Sequence, residues 1–161
     1  MIRTAVSPLL FAALLVLVLL AIIGASMLAR QSASTAATGI VAERMAYMEM
    51  LEDHSELMGA MVTGTMAPDP QRLAASAVQL ADASPRLLEL FPRGSRDELS
   101  SALAVVWANW PEFLRQQRRF EVASEALLAA TRDGEATLIR DRYWELMATC
   151  RDCHRGFRRR Y

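Results

Sequence analysis

The chain has 161 residues, 53% of them hydrophobic and 22% charged, a balance that suits one globular domain of ordinary size and excludes a disordered polymer or a large multidomain enzyme. Basic and acidic residues stand at 18 each, and that neutrality argues against a nucleic-acid binder, whose phosphate contacts need a basic surface. All 18 acidic residues fall after residue 30 together with 16 arginines, which leaves that part at −2, and the chain contains no lysine.

From Pro8 to Ala29, 22 consecutive residues carry no charge, and almost all are Leu, Val, Ile, Ala, Phe or Met. A secretory signal has an apolar stretch of roughly 7–15 residues, whereas a helix crossing a hydrocarbon core of about 30 Å needs around 20. Residues 1–30 therefore predict an N-terminal transmembrane or signal helix. Arg3 and the terminal amine precede it and only Arg30 closely follows, which places the N-terminus in the cytoplasm and the remainder outside. Small residues at Gly24, Ala25 and Ser26, and again from Ser32 to Ala37, offer a signal peptidase site, so the domain is exported whether anchored or released. Residues 31–39, rich in Ser, Ala and Thr, read as a flexible linker.

The exported domain, 40–161, reads as four helices. Val41, Met45, Met48, Leu51, Ser55, Met58 and Val62 recur at spacings of three and four, which predicts a helix over 40–63 with these positions on its apolar face. Asp69 before Pro70 is a start signal for a second helix over 70–90. Pro85 lies well inside it and predicts a kink or a break. Ser95 with Glu98 three residues on fits a capping box for an extra turn or an early start of the next helix. Pro111 is tolerable only within a first turn, so the third helix is placed from Asn109 to Arg132, ending at Asp133-Gly134. The fourth runs over 135–158, with Ile139, Tyr143, Leu146, Cys150, Cys153 and Phe157 on one stripe. No strand pattern or internal repeat competes. The fold class is all-α, an antiparallel up-down-up-down four-helix bundle behind the N-terminal helix.

The only two cysteines lie three apart with a histidine directly after the second: Cys150-Arg-Asp-Cys153-His154. At about 100° per residue the two thiols and the imidazole fall within one arc of about 100°. C-x-x-C-H is the attachment pattern of c-type haem, in which two thiols become thioethers and the imidazole becomes the proximal iron ligand. Competing readings fit less well. A redox dithiol sits at a helix N-terminus, where the dipole lowers the thiol pKa, but these cysteines lie near a C-terminal end. A structural zinc site needs four ligands, and His54 is the only other histidine. A disulfide between positions i and i+3 of a helix is geometrically poor.

Over residues 40–158 the chain resembles the cytochrome c' family, four-helix c-type cytochromes that carry the haem motif near the C-terminus. The resemblance is carried by the haem motif, Arg44 four residues before Met48, Leu90-Phe91-Pro92 after the second helix, Trp107 and Phe113 entering the third, and the ending Arg155-Gly156-Phe157-Arg158. It implies one covalent haem c with His154 as proximal iron ligand and Met48 of the first helix on the opposite, distal side. Two outcomes share that layout. Either the distal side chain leaves iron five-coordinate and able to bind NO or CO, or, as in low-spin relatives, the methionine sulfur ligates iron and the protein is a simple electron carrier. Thioether sulfur is a recognised axial ligand that raises the potential, although methionine is also common core filler. His54 is rotated by about 240° from Met48 and is expected to face solvent or a neighbouring helix.

The resemblance further implies a haem propionate partner in Arg44, the alternative being an exposed surface arginine. It places Arg158 on the proximal side, where its charge bears on the imidazole, and Phe157 against the ring. Trp107, Trp110 and Phe113 fit core or haem wall equally. The expected function is electron transfer and haem binding in the bacterial periplasm, with redox proteins and NO or CO as partners. The membrane is a partner through an uncleaved leader, and a homodimer follows from the resemblance alone. No nucleophile and base pair or phosphate loop predicts catalytic turnover.

Overall fold

The apolar stripes decide which faces meet. The computed structural model describes residues 16–20, 39–97 and 99–159, with Gly39–Tyr161 forming a unit of its own, apart from Met1–Thr38. That unit contains α1 (Ile40–Val62), α2 (Pro70–Leu87) followed by a 3-10 turn at Leu88–Leu90, the single turn α3 (Val105–Ala108), α4 (Trp110–Asp133) and α5 (Ala136–Phe157). The only β feature among the described residues is an isolated antiparallel bridge between Ala102 and Arg158. Of the apolar segment 8–29 only residues 16–20 are described, helical and exposed. Among the described residues no helix is long and apolar enough to cross a membrane. The anchor or signal expectation, and the linker apart from Gly39, lie outside them.

Helix limits follow local chemistry. The Asp69 carboxylate accepts hydrogen bonds from the backbone amides of Gln71 and Arg72 at 3.0 and 3.1 Å, with Pro70 at the first helical position, so it satisfies amides that the helix itself leaves without acceptors. Glu135 caps α5 in the same way through the amides of Thr137 and Leu138. Gly134 ends α4 with φ 75°, in the left-handed region that favours glycine.

α1 and α2 are antiparallel. Tyr47 donates its hydroxyl hydrogen to the Ala83 carbonyl at 2.6 Å, and His54 Nδ1 lies 3.2 Å from Ser76 Oγ, so His54 faces the neighbouring helix. α4 and α5 are also antiparallel, shown by the edge-on pair Phe113 and Phe157 (5.3 Å between centroids) and the ion pair Arg119 with Asp152 at 3.0 Å. Gln117 of α4 donates to the Ser84 carbonyl and hydroxyl of α2 at 3.1 and 3.0 Å. The fourth pair, α1 with α5, closes the bundle but is the least extensive of the four. Met58, Leu80, Val106, Leu127 and Leu146 fill the interior and are almost inaccessible to solvent.

Three local expectations are corrected. Of the kink or break expected at Pro85, the break does not occur: helix α2 runs through it and tightens into the 3-10 turn only at Leu88. Pro85 denies an amide only to the Ala81 carbonyl, four residues earlier, and it stands in the last turn of α2, so little helix remains beyond it to be disturbed. Ser95 starts no helix, because its hydroxyl accepts from Arg44 at 2.6 Å; Glu98 is outside the described residues. On α1, Val41 and Met58 are buried as the spacing predicts, but Met45 is 50% exposed, Met48, Leu51 and Ser55 are only half-buried, and Arg44 and Met61 are buried in their stead. In the middle of the predicted face, Met48 and Leu51 still pack against the core but at its partly open edge.

Candidate functional site

The α1/α5 seam has a close approach at one end. Gly59 of α1 lies so near the Tyr143 hydroxyl of α5 that a Cβ at position 59 would collide with it. This contact fixes the register of the two helices. Eleven residues make three turns to within about 20°, so Met48, eleven before Gly59, lies on the same face of α1 as Gly59. By the same arithmetic His154, eleven after Tyr143, lies on the same face of α5 as Tyr143. The chains run antiparallel, and Met48 and His154 therefore stand level with each other on facing sides of the seam.

Cys150 lies two turns beyond Tyr143 on that face, and Cys153 is rotated from it by about 60° toward the core. Both thiols are free, half-buried and packed against the core. Burial raises the Cys150 thiol above the usual range, and burial together with Cys150 pushes Cys153 up to about 11. They are protonated at neutral pH, unlike the low-pKa thiolates of redox dithiols. Among the described residues, no group of three or more His, Cys, Asp or Glu is placed to hold a metal ion. His154 is half-buried and its pKa is lowered, first by burial and then by the charge of Arg158, with Glu52 opposing. A neutral imidazole is the form that ligates iron.

Phe157 is buried against Phe113, and its carbonyl accepts from the Leu103 amide at 2.8 Å. Arg158 is exposed, with its backbone in the bridge to Ala102. An aromatic chain continues from Phe157 through Phe113 to Phe91 and Trp110 at 4.8 and 5.2 Å, and Trp107 donates its indole hydrogen to the carbonyls of Phe91 and Pro92. Trp107 and Trp110 thus serve the loop end of the bundle, where with Leu88, Phe91, Pro92 and Arg93 they line a cleft of about 240 Å³.

Arg44 is not the exposed surface arginine that stood as the alternative to a propionate partner. It is 4% exposed and donates to the Leu90 carbonyl at 2.8 Å, to Ser100 Oγ at 3.0 Å and to Ser95 Oγ at 2.6 Å, with longer contacts to the Ser95 carbonyl. These bonds use all five N–H donors of the guanidinium, because the 88–100 loop folds over it. Sequence reasoning missed Ser95 and Ser100 as its partners, since their pairing spans more than fifty residues. It also missed Gly59, although a lone glycine inside a helix costs about 1 kcal/mol against alanine and is a sign of close packing.

A sequence profile described as Cytochrome C' matches residues 39–158. The chain belongs to the cytochrome c' family. A cytochrome c' from Rhodopseudomonas palustris is 26% identical over 126 residues, covering 78% of this chain and 85% of that one. In fold, the chain is similar to cytochrome c' from Rubrivivax gelatinosus (TM-score 0.68, 23% identity, 71% of this chain and 91% of that one). It is also similar to a nitric oxide complex of a mutant cytochrome c prime from Alcaligenes xylosoxidans (TM-score 0.71, 22% identity, 76% and 94%). Cytochromes c' bind a covalently attached c-type haem and are periplasmic in bacteria. The residues present fit that cofactor. The seam offers two protonated thiols and a neutral imidazole in one arc and a thioether opposite, between the least extensively packed pair of neighbouring helices.

Proposed function

We propose that this cytochrome c' is an exported electron carrier in which Cys150 and Cys153 form the two thioether links, His154 is the proximal ligand and Met48 stands on the distal side. The observation that carries this reading is the level, facing placement of Met48 and His154 across the α1/α5 seam. The bound haem would supply an iron that changes charge by one electron.

The protein's part is to hold that iron in one environment through both states. Two covalent links and an imidazole on one rigid helix fix the cofactor against α5, and Phe157 anchors the end of that helix in the aromatic cluster. Burial and Arg158 keep His154 neutral and available as a ligand. On α1, Met48 brings a soft sulfur of the kind that raises haem potentials. Partners on this reading are redox proteins of the periplasm.

A second reading is a binding site for NO or CO at the distal side. It is favoured by Met45, half exposed one turn before Met48, and by the solved relatives that carry nitric oxide. Ferric and ferrous absorption spectra of the holoprotein, recorded with and without CO, test the choice. A low-spin ferrous spectrum that CO leaves unchanged supports the carrier, whereas a rapid large shift supports the open site. Absence of a covalent haem adduct in mass spectra from a host with a cytochrome maturation system overturns both.

A further inference from the structure

Glu52 lies on the part of α1 that faces α5. It precedes Gly59 by seven residues, which is two turns to within about 20°. It therefore shares the seam face with Met48, one turn or about 6 Å along the axis, and stands level with Cys150. Relative to Gly59, Glu49 and Asp53 are rotated by about 80° and 120° and turn away; Glu56, at about 60°, still acts on Tyr143 of α5 but lies one turn further from the level of His154.

Two further observations bear on its charge. Among the described residues the Glu52 carboxylate has no hydrogen bond or ion pair; only its backbone carbonyl is engaged, by Ser55. Arg151, which follows Cys150 on the opposite rim, likewise makes no ion pair among them.

We propose that Glu52 sets the redox poise of the bound haem: a carboxylate without an ion pair, on the exposed rim of the seam, stabilises the oxidised, more positive cofactor and so lowers the reduction potential. Glu52 is exposed on the rim of the seam, so the physical ground is a solvent-screened Coulomb attraction that is strongest at low ionic strength and falls as salt is added. The inference rests on the reading of Cys150, Cys153 and His154 as the haem-bearing residues. It assigns to a residue outside the attachment motif the task of tuning that group, opposite in sign to the effect of a ligating Met48 sulfur.

The test is the midpoint potential of the holoprotein, measured by spectroelectrochemistry at neutral pH and low ionic strength, after a pyridine haemochrome assay has established haem content. The variants are Glu52→Gln, Glu52→Asp and, as a control on the outer face, Asp53→Asn. We expect Glu52→Gln to move the potential upward, Glu52→Asp to keep most of the original value, and Asp53→Asn to change it little. Added salt should shrink the Glu52→Gln difference, and the ligand-sensitive absorption bands should stay where they are. An unchanged potential in Glu52→Gln, equal shifts in Glu52→Gln and Asp53→Asn, or a changed axial ligand set overturns the proposal and leaves the haem reading standing. Absence of covalent haem from the unmodified protein overturns both.

Discussion

The guanidinium carbon of Arg44 lies 4.3 Å from the centroid of the Phe91 ring and 5.7 Å from that of Trp107. Among the described residues it has no carboxylate partner, so aromatic faces, carbonyls and hydroxyls alone compensate a buried cation whose pKa burial lowers. Arg44→Ala would leave the Leu90 carbonyl and the buried Ser100 hydroxyl without their donor and empty the space between α1 and the loop. A loss of about 2–4 kcal/mol is expected in denaturant unfolding. Arg44→Lys should recover only part, because a single ammonium cannot reproduce a planar fork of five donors. Full stability in Arg44→Ala would show that the loop is held by something else.

Gly59 and Tyr143 make a second, independently testable contact. Alanine at position 59 gains helix propensity of about 1 kcal/mol but drives its Cβ into the tyrosine hydroxyl, and overpacking of this kind costs about 1–3 kcal/mol. Gly59→Ala is therefore expected to destabilise, whereas Gly59→Ala combined with Tyr143→Phe, which removes the colliding oxygen, should be closer to neutral. A double-mutant cycle by thermal unfolding reads the coupling, and additive effects would refute a direct contact.

Much of this fold is legible in the amino-acid order alone. The Asp69-Pro70 start, the Asp133-Gly134 stop and the placement of Pro111 in a first turn are local chemistry, and α1, α2, α4 and α5 begin and end close to where those signals lie. The attachment motif is legible for the same reason, since Cys150, Cys153 and His154 sit within two turns of one helix. What is not legible is long-range. Apolar spacing places Met45 in the core and says nothing of Arg44, because a half-buried seam and a packed core present the same kind of residues. Only tertiary contacts such as Gly59 with Tyr143 distinguish them. The burial of Arg44 is hidden because its acceptors, Leu90, Ser95 and Ser100, come from a loop without periodicity.

Glu135 gives a pH-dependent prediction. Its carboxylate is held below the ordinary range, chiefly by the Thr137 hydroxyl and then by the amides of Leu138 and Thr137. A group with a lowered folded-state pKa contributes stability that is fully present above its unfolded value, about 4.3 for a glutamate, and lost as pH falls through the lower folded value. Glu135→Ala should therefore melt below the unmodified protein at neutral pH, and the two curves should converge in more acidic solution. A difference that persists undiminished at strongly acidic pH would mean that the carboxylate charge is not what caps α5.

On the proposed reading Met48 decides between the two modes of the haem site, and its replacement separates them. If the sulfur ligates iron, Met48→Ala removes a ligand whose loss is visible in the ferrous spectrum, and the variant should bind CO readily where the unmodified protein does not. Because Met48 is half-buried at the seam, the same truncation should cost less stability than a fully buried methionine such as Met58, for which removal to alanine typically costs about 2–5 kcal/mol. If Met48 only walls the distal side, the unmodified protein already binds CO, and Met48→Ala should change the rate of CO or NO binding through the space it opens, with the spin state unaltered. Met45→Ala is the control: it lies one turn nearer the helix start and is half exposed, so neither spectrum nor stability should move. A spectral change in Met45→Ala and none in Met48→Ala would shift the facing position by that turn and with it the register set by Gly59 and Tyr143.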